Sequence, residues 1–133
     1  MFPKIAAAAV FLALILPGPG AADSGDDDEA RVRVACAGGT AELRVKAETD
    51  DDGAMLRIEL RVETRRPIRS WRVVLLHERL LVLDRVRRPD SSSHQLRIRF
   101  GLRDWPGRET VTARVTARLA TGNARTCRLQ VTI

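Results

Sequence analysis

His77 and His94 are the only imidazoles in the 133-residue chain, so acid–base or nucleophilic chemistry has to begin with them. Ser91-Ser92-Ser93 runs directly into His94, which sets hydroxyls and a base side by side in sequence. Neighbours on a strand point to opposite faces, however, and no serine occupies a Gly-x-Ser-x-Gly elbow. A triad also needs an acid to orient its base; His77 reads as a strand-end residue with no partner. Zinc requires three or four ligands at ordered spacing, which two distant histidines do not supply. Asp84 and Asp104 are the acids to watch for paired-carboxylate glycosidase chemistry, and both read more simply as turn or surface residues. No Gly-rich phosphate loop is present. These residues predict a protein without catalytic activity, metal or cofactor. A small hydrolase built on His77 or His94 is the alternative.

Carboxylates cluster twice, at Asp23-Ser24-Gly25-Asp26-Asp27-Asp28-Glu29 and at Asp50-Asp51-Asp52-Gly53. Neither has EF-hand spacing. The first, with nothing apolar to bury, reads as part of a disordered lead-in over residues 23–30. The second reads as a turn.

Arginine supplies a different kind of chemistry. All but two of the 23 basic residues, Lys4 and Lys46, are arginine. Arg31 and Arg33, Arg57 and Arg61, Arg97 and Arg99, and Arg114 and Arg118 each fall on alternating, outward phases. On one sheet they would form a basic face for a polyanion such as an anionic cell-envelope polymer. Glu42, Glu59 and Glu63 are placed to neutralise that face by cross-strand pairing. Specific nucleic-acid recognition is not indicated: the chain has no Tyr, and its few Trp and Phe read mostly as core.

Residues 1–22 read as a cleaved signal peptide. Lys4 gives the positive start, Ile5 to Leu16 the apolar stretch, Pro17-Gly18-Pro19-Gly20 the break and Gly20-Ala21-Ala22 the small residues before cleavage. The apolar stretch is short of the ~20 residues of a membrane span, so a secreted protein without a membrane anchor is expected. Cleavage after Ala22 removes only Lys4 among the charges and lowers the formal charge from +6 to +5. Two cysteines, Cys36 and Cys127, lie 91 positions apart. In an oxidising compartment they predict one disulfide, and a loop of that length is worth ~4–5 kcal/mol in the chain-entropy model.

The elements that must position these residues are strands. Apolar residues alternate with polar ones at Val32, Val34 and Cys36, at Leu43, Val45 and Ala47, and at Leu56, Ile58, Leu60 and Val62. Alternation resumes at Leu96, Ile98, Phe100 and Leu102, again over Val111 to Leu119, and finally at Cys127, Leu129, Val131 and Ile133. A period of two over such lengths argues for half-buried strands. Arg65-Arg66-Pro67 interrupts the pattern, and Ser70 to His77 follows as a central strand. There Trp71, Val73 and Leu75 form a core face, while Val74 and Leu76 make the second face apolar too. Glu78-Arg79 and Thr121-Gly122-Asn123 read as hairpin turns. The sum is an all-β domain over residues 31–133, with seven to eight strands in an antiparallel β-sandwich.

Cys36 with Gly38, Trp71-Arg72-Val73-Val74-Leu75, Asp104-Trp105-Pro106-Gly107, Val111 with Ala113, and Cys127 together resemble the small secreted Ig-like (fibronectin III-like) proteins of actinobacteria. That resemblance covers roughly residues 34–133 and implies a fold, not a ligand. It implies neighbouring first and last strands, so that the disulfide staples the two ends of the fold rather than crossing its centre. The function expected is an interaction or structural module of the cell envelope or extracellular space. Val74, Leu76 and Trp105 are its candidate contacts for a protein partner. Trp105 also reads as a plug at the end of the fold.

Overall fold

The computed structural model describes residues 28–51, 53–88 and 93–133. The expected signal peptide and most of the acidic lead-in lie outside the described residues. Seven strands follow one another: β1 (Glu29–Cys36), β2 (Gly39–Asp50), β3 (Gly53–His77), β4 (Leu80–Arg87), β5 (Ser93–Arg103), β6 (Thr110–Leu119) and β7 (Ala124–Thr132). Every pairing is antiparallel, and no helix occurs among the described residues.

The 25-residue strand β3 organises the molecule. Its first part, through Glu63, pairs with β2 on one edge and β5 on the other. Its second part, from Ile68, pairs with β6 and β4. One sheet half is therefore β1-β2-β3-β5 and the other β7-β6-β3-β4, with β3 common to both. The two inward faces bury a single core. β1 lies against β7, and the Cys36–Cys127 disulfide ties them, with a Cα–Cα separation of 5.6 Å. The seven strands thus form one nearly closed sheet.

Two details depart from the sequence reading. Arg65-Arg66-Pro67 does not end a strand. It marks the bend of β3, where residues 64–67 have no partner in either neighbour. Proline, which has no N–H to donate, is tolerated in such a gap. Local bonds compensate: the Thr64 hydroxyl lies 2.7 Å from the Arg66 carbonyl and 3.3 Å from that of His94. The second departure is at β1, which begins at Glu29 rather than Arg31. Ala30 is buried there opposite Val45, and Glu29 bridges Arg31 and Arg44. Cys36 closes β1.

A bulge then changes the phase of β3. Ile68 faces Leu119 and Ser70 faces Arg118, leaving Arg69 as the extra residue. Inward positions are even up to Ile68 and odd from Trp71 onward. One added residue has this effect because side chains alternate strictly along a strand. Trp71 is fully buried, as its sequence surroundings predict.

The β1–β2 turn also rests on a close approach. A Cβ on Gly39 would lie 1.7 Å from the Glu63 carbonyl oxygen, so only glycine lets β3 pass there.

Candidate functional site

The two histidines are positioned by backbone bends and strand ends. His94 opens β5 opposite the bend of β3, and its Nδ1–H donates to the Thr64 carbonyl at 3.2 Å. His77 ends β3 on the inward phase set by Trp71, Val73 and Leu75. The two-residue turn that follows holds Glu78 at φ 57°. Sequence reading left His77 without a partner; the structure supplies Glu109, the residue before β6. Nε2 of His77 lies 2.9 Å from Oε1 of Glu109, with both side chains buried. The backbone N–H of Trp105 donates to the same oxygen at 2.5 Å, and its ring lies against the imidazole, centroids 4.0 Å apart at a tilt of 32°. Burial is the first cause that raises the Glu109 carboxyl above its ordinary value of 4.5; a hydrogen bond that protonated Glu109 donates to the neighbouring Asp104 carboxylate is the second. Trp105 covers His77 and remains 38% exposed.

This cluster is closed. Both side chains are buried, and Nε2 is already engaged by Glu109. Chemically, it cross-links the end of β3 to the 104–109 segment and the start of β6. Asp84, the other acid singled out, is an exposed residue of β4 whose carboxylate is held below its ordinary value by the Arg72 guanidinium. Asp84 and Asp104 thus have separate partners. Among the described residues no three His, Cys, Asp or Glu side chains are grouped to share a metal ion.

Of the four arginine pairs, Arg31 and Arg33, Arg57 and Arg61, and Arg97 and Arg99 fall on one sheet face, whereas Arg114 and Arg118 lie on β6 in the other sheet half. The register of β1, β2, β3 and β5 stacks their outward residues in rows across one sheet face. Arg31, Arg44, Glu59 and Arg99 make one row; Glu29, Lys46, Arg57 and Gly101 make the next. On the other side run Arg33, Glu42, Arg61 and Arg97, and beyond Lys46 lie Glu48, Met55 and Arg103. Bases outnumber acids in the rows. Several acids each bridge two bases: Glu29 takes Arg31 and Arg44, Glu48 takes Lys46 and Arg57, and Glu59 takes Arg97 and Arg99. Hydrogen bonds from Arg44 and Arg31 lower the Glu29 carboxyl, and one from Arg97 lowers that of Glu59. Gly101 adds no side chain to its row, and a groove of 460 Å3 opens there, walled by Arg44, Lys46, Arg57 and Arg99 together with Glu48 and Glu59.

The remaining candidates lie on the outer face of the other half. Val74 and Leu76 are half-buried there. Leu76 faces Leu81, which is 60% exposed, and Val74 faces Asp84. The three contact candidates do not form one site: Trp105 belongs to the His77 cluster, Val74 and Leu76 to this sheet face.

No family model matches the chain, and no curated protein or solved structure matches it.

Proposed function

We propose that the chain is a secreted, non-catalytic interaction module, Ig-like in form, that holds an anionic cell-envelope polymer on the outer face of β1-β2-β3-β5. The observation that carries this reading is the row of guanidinium and ammonium groups lining the Gly101 groove. Adjacent strands stand ~4.8 Å apart, so bases in register present charge at short, regular intervals to an extended polymer. The bridging glutamates hold the guanidinium planes in place. Binding releases the polymer's counterions and is therefore salt-dependent. A disulfide between β1 and β7 suits work outside the cytoplasm.

The test is a salt series with fluorescent polyphosphate and heparin. Affinity should fall about tenfold or more between roughly 50 and 200 mM salt, and Arg57→Glu with Arg99→Glu should abolish it. Binding indifferent to ionic strength, or unchanged in that double variant, rules the reading out.

A further inference from the structure

A second concavity, of 370 Å3, lies in the other sheet half, lined by Arg69, Ser70, Arg88 and Arg118. It differs in kind from the Gly101 groove, because among the described residues no carboxylate lines it. Its geometry follows from the bulge in β3. Arg69 is the residue inserted between Ile68 and Ser70, and Ser70 faces Arg118 of β6. Strict alternation would send Arg69 and Ser70 to opposite faces; the bulge turns both toward one hollow. Arg88 reaches the same hollow from the end of β4, just after Arg87 has paired with Trp71. Arg118 is steadied by donating to the Gly122 carbonyl at 3.3 Å in the β6–β7 turn. Among the described residues, no acid pairs with Arg69, Arg88 or Arg118.

Three guanidiniums gathered without a counter-charge repel one another, and a bound anion relieves that repulsion. Guanidinium forks match the oxygens of a tetrahedral oxyanion, and the Ser70 hydroxyl adds one more donor. The charge selects among such anions. A phosphate monoester carries close to −2 at neutral pH, whereas sulfate esters and carboxylates carry −1. The volume exceeds what a phosphoryl group fills and leaves room for the ring that bears it. We infer that the Arg69–Ser70–Arg88–Arg118 hollow is a binding site for a phosphate monoester carried on a sugar-sized group. The site is separate from the polymer face and stands whether or not that face binds.

The test is a titration of the oxidised, 15N-labelled protein at constant ionic strength with glucose 6-phosphate, glucose 6-sulfate and glucuronate. Glucose 6-phosphate should give saturable shifts at the Arg69, Ser70, Arg88 and Arg118 resonances and should bind at least tenfold more tightly than the other two. Arg88→Gln lies beyond the strand ladder and leaves the fold intact, and it should weaken that binding at least tenfold. Arg69→Gln should do the same, while Arg108→Gln, with the same loss of charge elsewhere, should not. Equal affinity for the sulfate ester, shifts confined to the Gly101 groove, no saturation, or an unaffected Arg88→Gln variant would each overturn the assignment.

Discussion

A single carboxylate oxygen, Oε1 of Glu109, lies 2.9 Å from Nε2 of His77 and also accepts the Trp105 backbone N–H. That atom joins the end of β3 to the segment that leads into β6. Removing it orphans two buried donors at once. Glu109→Ala should cost about 3 kcal/mol or more in chemical denaturation. Glu109→Gln keeps a carbonyl oxygen in the same place and should cost far less. Equal losses in the two variants would show that the oxygen is not the anchor.

The same residue sets a pH dependence with a definite sign. Glu109 is raised above 4.5 in the folded protein, so folding favours its protonated form. Its contribution is full below that pH and is lost as pH rises through the raised value. Glu29, Glu59 and Asp84 are depressed by their arginines and act oppositely, losing their contribution as pH falls through their folded values. Glu109→Gln should therefore remove only the loss on the neutral side. Denaturant midpoints from below pH 4.5 to neutrality should flatten there, and the acid limb should keep its slope.

Trp71 is fully buried, yet among the described residues its indole Nε1–H has no hydrogen-bond partner. Trp71→Phe removes that unsatisfied donor along with some packing, whereas Trp71→Ala removes the same donor and far more of the packing. We expect the Ala variant to lose about 3–5 kcal/mol and the Phe variant less than half of that. Thermal and urea unfolding of the pair measure the difference.

Gly38 and Gly39 should respond to alanine in different ways. At Gly39 the new methyl meets the Glu63 carbonyl oxygen and the Thr64 Cα within 2.7 Å, so β2 and β3 must separate, at about 3 kcal/mol or more. At Gly38 nothing lies within 4 Å, and only the φ of +77° is strained, for about 1–2 kcal/mol. Reversed rankings in urea unfolding would contradict the register of this turn.

β4 has a free edge carrying exposed Leu80, Leu81 and Val86. Arg85 and Arg87 sit opposite Val73 and Trp71, on the inward phase, and the register shifts between Leu75 and Leu76. Inward charges and an irregular register are devices that discourage edge-to-edge pairing. Arg85→Val with Arg87→Val should therefore produce concentration-dependent aggregation, read by light scattering, while the parent protein at the same concentration stays dispersed.

The strands were legible because each buries one face, and alternation records that directly. Even the bulge in β3 left a trace: inward residues are even in Leu56 to Val62 and odd in Trp71 to Leu75. Arg65-Arg66-Pro67 disguised it as a break between two strands. The His77–Glu109 pair had a signal too. His77 continues the phase of Leu75, and Glu109 that of Val111, so both are polar residues on inward positions. Their meeting depends on β3 pairing with β6, at a separation of 32 positions in the chain, and alternation says nothing about which strands become neighbours. The basic face was hidden for the same reason. Each strand announces its outward arginines, but only the register brings Arg44, Arg57 and Arg99 to one groove. The Arg69 hollow also needs the bulge, which turns one side chain against the alternation.

The Cys36–Cys127 bridge also decides how the molecule answers to tension. A chain pulled from Glu29 and Ile133 would ordinarily transmit the load through every strand in turn. Here the load crosses at the sulfur atoms of two residues 91 positions apart and bypasses the chain between them. Only the part of β1 before Cys36 and the part of β7 after Cys127 can be peeled away. The bend, most of the core, the Gly101 groove and the Arg69 hollow sit inside a covalent loop that carries no force until a reductant opens it.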